Sequence, residues 1–98
     1  MARELTPAER QALKGRAHRL RPVVLIGAAG LTGAALAEIE RALRAQQLVK
    51  VRVAAEDRSR RRALLAEICA ATDAAPVQHI GKILVLYRPP DRAPEPQR

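Results

Sequence analysis

The 98-residue sequence predicts a single compact α/β domain in the order α-β-α-β-α-β-β, with helices packed on a four-stranded mixed sheet. Three observations lead there. Apolar residues switch between helical spacing and short β-branched runs, which marks alternating helices and strands. The length suits one core, since domains most often run to roughly 100–150 residues. Two potential βαβ crossovers are followed, near the end, by the signal of a β-hairpin.

Thr6-Pro7-Ala8-Glu9 reads as a capping box, with Pro at the first helical position, and starts a helix that should run to about Ala17 with Leu13 and Ala17 inward. Pro22 ends any continuation. Val23-Val24-Leu25-Ile26 is apolar at every position, which predicts a first strand covered on both faces. A tight loop over Gly27-Ala28-Ala29-Gly30 follows, and Thr32 caps a second helix over about Gly33 to Ala45, its buried stripe formed by Leu36, Ile39 and Leu43.

From Leu48 to Ala54 the residues alternate, Val49, Val51 and Val53 on one side and Lys50 and Arg52 on the other, so the second strand should be half exposed with a basic outer face. The third helix is expected from about Ser59 to Thr72, its apolar side made by Leu64, Leu65, Ile68, Cys69 and Thr72. Pro76 marks an exit loop. Val77–Ile80 and Ile83–Tyr87, joined at Gly81-Lys82, then read as a hairpin. The domain is thus expected over residues 1–88, with a disordered Pro-rich tail over 89–98.

Eighteen Lys and Arg against ten Asp and Glu give a formal charge of +8, which attracts polyanions. Phe and Trp are absent and Tyr87 is the one aromatic, so base stacking on aromatic platforms has almost nothing to work with. The opening residues lack the apolar run of a signal peptide, and no stretch approaches the roughly 18 apolar residues of a membrane span. A cytoplasmic location without membrane contact is therefore expected. Cys69 alone cannot make an internal disulfide or a metal cluster. His18 and His79 lack a nucleophile or carboxylate constellation, so no catalytic residue, metal, cofactor or small-molecule substrate is expected.

The most informative stretch is Val23 to Gly33, a strand, a glycine loop and a helix start. Such a junction offers backbone N–H groups and the positive end of a helix dipole to a phosphate, and glycine lets the backbone approach closely. Lys14, Arg16, His18, Arg19 and Arg21 precede it, and Arg58, Arg60, Arg61 and Arg62 cluster at the third helix start, where they oppose the helix dipole. Phosphate neutralisation would give that cluster a purpose. A solvated charged face is the plainer alternative for both groups. The G-x-x-G-x-x-G spacing, with Glu56 or Asp57 placed to meet a ribose, also suggests a small Rossmann-like dinucleotide-binding protein, although the chain lacks a second mononucleotide half. A basic module that binds an acidic protein is a third class.

Lys14-Gly15-x-Ala17-His18-x-Leu20-x-Pro22-Val23-Val24, leading into Gly27-x-x-Gly30-Leu31-Thr32 and followed by Gly81-Lys82 and Leu86-Tyr87-Arg88, resembles the bacterial single-domain CRM proteins, the YhbY family, over about Leu5 to Pro89. The resemblance implies a KH-like fold similar to the C-terminal domain of a bacterial translation initiation factor. It also implies a non-enzymatic RNA-binding protein of 23S rRNA in precursors of the large (50S) ribosomal subunit. Carried over by position, Gly27 and Gly30 are the backbone clamp, Ala28 and Ala29 the loop tip, and Lys14, Arg16, His18 and Lys82 its neighbours. Related loops often carry a basic residue between the glycines, and this one does not.

Overall fold

The computed structural model describes residues 4–90, in the order α1 (Pro7–Ala17), β1 (Pro22–Ile26), α2 (Gly33–Gln46), β2 (Leu48–Val53), α3 (Arg58–Thr72), β3 (Ala75–Ile80) and β4 (Ile83–Tyr87). The order is the expected one. The tail expected from Pro89 lies, from Asp91 on, outside the described residues. The capping box closes as anticipated: Glu9 N–H donates to Thr6 Oγ1 at 3.1 Å and Thr6 N–H to Glu9 Oε1 at 2.9 Å.

The sheet runs β1-β2-β4-β3, with β1 parallel to β2 and β4 antiparallel to both its neighbours. The β3–β4 hairpin thus folds back so that β4 fills the space beside β2. Helices α2 and α3 share one face, where Ile39, Leu43, Leu64, Ile68 and Cys69 pack on Val24, Ile26, Val51, Val53, Leu84 and Leu86. Helix α1 covers the other face, Leu13 and Ala17 meeting Leu48, Val77 and Val85, with Tyr87 packed alongside. Burial pushes the Cys69 thiol up to about 11, so it serves as a small protonated apolar group.

Two expectations need correction. Strand β1 is not covered on both faces: Val24 and Ile26 are buried, while Val23 and Leu25 are exposed. It is an edge strand, and the cluster under α1 draws its buried residues from β2, β3 and β4 only. Pro76 is not in a loop but within β3, beside a register shift between Pro76 and Gln78. An edge strand tolerates the missing N–H there.

The outer face of β2 is also more varied than its alternation implies. Leu48 is buried under α1, the half-buried Lys50 donates from Nζ to the Leu20 carbonyl at 3.0 Å, and Arg52 stays exposed.

Candidate nucleic-acid interface

Strands β1, β2 and β3 all run toward one end of the sheet. That end carries the Gly27–Gly30 loop, the β2–α3 connection, the starts of α2 and α3, and the β3–β4 turn. The loop is a tight turn closed by Gly30 N–H to the Gly27 carbonyl at 3.0 Å, and it is pinned to β2 through Ala54 N–H to the Ile26 carbonyl at 2.9 Å. Thr32 caps α2 by accepting from Ala35 N–H at 3.1 Å, and Asp57 caps α3 by accepting from Arg60 N–H at 3.2 Å. Two helix N-termini therefore open at the same end, each with the positive pole of its dipole.

The two glycines differ. Gly30 sits at φ +90°, and a Cβ there would stand 2.8 Å from Nη2 of Arg60. Gly27 has no positive φ, and a Cβ there would meet nothing within 4 Å. Gly30→Ala should therefore cost about 1–2 kcal/mol through the left-handed backbone, with Arg60 displaced from the loop. Gly27→Ala should stay within about 0.5 kcal/mol of wild type. Thermal melts of the two variants check the contrast, and equal losses would refute it.

The same contact places Arg60, from the third helix, directly over the loop. Arg58 and Arg62 are exposed on the same first turns of α3, and Lys82 Nζ reaches Glu56 Oε2 at 2.9 Å across the connection, holding that carboxyl below its ordinary range. Arg61 is different. It is buried, donating from Nη1 to the carbonyls of Ala55 and Glu56 at 3.0 and 2.7 Å and from Nε to His79 Nε2 at 3.3 Å. It braces the β2–α3 connection from below and offers no guanidinium to a ligand.

That contact makes His79 a neutral acceptor. Burial, then the positive charges of Arg58 and Arg61, hold its imidazole below the ordinary 6.5, against a backbone hydrogen bond with Gly81. The folded form then binds fewer protons than the unfolded chain, so the stability this provides is full above pH about 6.5 and is lost as pH falls from there toward the depressed value. Melting temperature should drop between pH 7 and 5, and His79→Gln, which keeps an acceptor, should flatten that step. An equal drop in the variant would assign it elsewhere.

The remaining expected residues lie apart from this end. His18, Arg19 and Arg21 are exposed where α1 leads into the foot of β1, a full strand away from Gly27, about 16 Å at the usual rise. Arg16 lines a cavity of about 220 Å³ with Leu5, Glu9, Ala12, Leu13 and Tyr87, and Lys14 is half-buried on α1. Glu56 is engaged by Lys82 and Asp57 by its cap, so neither is poised for a ribose. With α2 and α3 on one face and strand order β1-β2-β4-β3, no reversal of winding opens the crevice that a dinucleotide fold uses. Among the described residues no group of three or more His, Cys, Asp or Glu could hold a metal ion, and no helix is long and apolar enough to cross a membrane.

A glycine turn, two helix N-termini and arginines of α3 share one end of a four-stranded mixed sheet, an arrangement that places the chain in the KH-like class of α/β domains. Within it the chain belongs to the CRS1/YhbY (CRM) domain family, whose model matches residues 5–88. It is 51% identical over 89 residues to an RNA-binding protein of Haemophilus influenzae, covering 91% of this chain and 90% of that one. It is 42% identical over 94 residues to a protein of Pseudomonas aeruginosa named as a probable RNA-binding protein, covering 96% and 88%. The fold is similar, at TM-score 0.83 and 28% identity, to the solution structure of a Staphylococcus aureus protein described as a candidate RNA binder, covering 92% and 94% of the two chains.

Proposed function

We propose that the protein binds structured ribosomal RNA, that of precursors to the large ribosomal subunit, and assists assembly by holding RNA rather than by catalysis. The observation that carries this reading is the convergence of the Gly27–Gly30 turn, the starts of α2 and α3, the exposed Arg58 and Arg60, and the half-buried Lys82 at one end of the sheet. Phosphates would meet backbone N–H groups at the loop and guanidinium groups around it, which gives affinity with little dependence on sequence. Ala28 and Ala29 at the loop tip add no polar side chain, so the backbone and the flanking cations carry the contact. Lys14, Arg16, His18, Arg19 and Arg21 form a second basic segment for an RNA long enough to reach the foot of β1. Relatives named as RNA-binding proteins support the same class of ligand.

The test uses sedimentation of the full chain from a lysate through a low-salt gradient, with Ala28→Asp/Ala29→Asp as the comparison. Both alanines are exposed, so the variant should fold as wild type does. Wild type is expected with large-subunit or precursor particles and lost from them at high salt, and the variant is expected at the top, its RNA affinity lowered about tenfold or more. Wild type confined to the top under gentle conditions, or a variant that co-migrates unchanged, would overturn the proposal.

A further inference from the structure

Among the described residues three large apolar side chains are exposed, Val23 at 47%, Leu25 at 64% and Ile80 at 55%, and all three fall on one face of the sheet. The pairing shows it. Leu25 stands beside Arg52, Arg52 beside Ile83, and Ile83 beside Ile80, so these four form one row across all four strands. Three strand spacings make that row about 14 Å wide. It is the face that α1 covers lower down, and Ile83 touches the α1 cluster while the rest of the row lies beyond the helix. On this face the row is the last one before the Gly27–Gly30 loop, since Ile26 and Val53 beyond it face the α2–α3 side, and Ile83 directly follows Lys82 of the β3–β4 turn, so the row abuts the proposed phosphate-facing end.

An apolar row with an exposed arginine at its centre suits a flat, partly apolar ligand with electron-rich faces. Aliphatic side chains give dispersion contact to a ring face, and a guanidinium plane stacks on it. A second copy of this chain suits it less, since symmetric pairing would bring Arg52 toward Arg52 between two chains of formal charge +8. We propose that this row, Leu25, Arg52, Ile83 and Ile80 with Val23 beside it, is a base-docking platform: unpaired bases of the bound RNA lie on it while their phosphates engage the Gly27–Gly30 end. The inference rests on the RNA-binding reading above and adds where its bases go. It replaces the absent aromatic platform with aliphatic and guanidinium surface.

The test is a four-way titration. Wild type and a Leu25→Thr/Ile80→Thr variant, which keeps strand-compatible residues, are each measured against a short single-stranded RNA of mixed sequence and against an abasic strand of the same length. Wild type should bind the base-bearing strand about tenfold tighter than the abasic one, and the variant should lose most of that difference while binding the abasic strand as wild type does. Arg52→Gln, a single exposed substitution, should reduce the same difference and supplies the measurement should the double variant fail to fold. Equal affinity of wild type for the two strands overturns the platform but leaves the phosphate interface standing. Failure of wild type to bind either strand or rRNA overturns both. A wild-type dimer in sedimentation equilibrium that becomes a monomer in the variant assigns the row to a second copy and overturns the platform.

Discussion

Arg88→Met should lower stability by roughly 2–4 kcal/mol, within the range for breaking a buried ion pair and reduced because Glu40 is partly open to water. Arg88 is buried just past β4. Its Nη1 and Nη2 donate to the two oxygens of Glu40 at 2.9 Å each, and Nη1 also donates to the Thr72 carbonyl at 2.8 Å. Its own N–H donates to the Gln47 carbonyl at 2.9 Å. One side chain thus ties the end of β4 to the middle of α2 and the end of α3. Removal leaves a carboxylate and a buried carbonyl without that donor, and in a domain of this size each kcal/mol moves the melting temperature by about 4–8 °C. Arg88→Lys should recover little, because an ammonium cannot meet three acceptors with a planar fork. A melt within 3 °C or so of wild type would show that the clamp is dispensable. The acid side gives a second readout. Hydrogen bonding to Arg88, opposed by burial, holds the Glu40 carboxyl below its ordinary 4.5, so its contribution is full above that pH and is lost as pH falls through the depressed value. Glu40→Gln should remove that part of the acid limb.

Local signals carried most of the fold. The Thr6–Glu9 box, the Thr32 cap and the alternation of β2 each act within a few residues, and each helix and strand forms close to where those signals put it. What failed was non-local. An all-apolar β1 looks doubly covered, but whether a second layer reaches an edge strand depends on where α1 crosses, and α1 crosses β2, β4 and β3. Pro76 punctuates like a loop residue, yet its tolerance inside β3 follows from that strand's place at the edge.

The arginine cluster shows the same limit for the site. Arg61, grouped in sequence with the phosphate-facing arginines, is instead buried, three, four and seven residues before Leu64, Leu65 and Ile68 on the same helical stripe. Arg60, one position earlier, rotates out toward Gly30. Only the fold could bring those two together, since thirty positions separate them. The Leu25–Arg52–Ile83–Ile80 row is likewise a product of register between strands and has no trace in any one segment.

Neutralising the rim should have the larger effect on binding. Arg58→Gln, Arg60→Gln and Lys82→Gln together remove three cations from the glycine-loop end of the sheet, and Lys82→Gln also leaves the exposed Glu56 carboxylate without its ion-pair partner. Each phosphate contact contributes about 0.7–0.9 to the slope of log affinity against log salt, so the slope should flatten by about 2–3. Affinity for rRNA at low salt should fall by about a hundredfold, and the loss should shrink as salt rises. All three side chains lie outside the buried clusters, so melting should change little. Arg61 must stay out of this set, because removing it would strand the Ala55 and Glu56 carbonyls and confound binding with unfolding. The matched control is Arg16→Gln/Arg19→Gln/Arg21→Gln, three exposed cations between the end of α1 and the foot of β1. Titrations from low to moderate salt separate the outcomes: a flattened slope for the rim set and a lesser change for the foot set place the phosphates at the glycine-loop end. An unchanged slope for the rim set would remove α3 from the interface, and an effect at the foot as large as at the rim would require RNA to run the full length of β1.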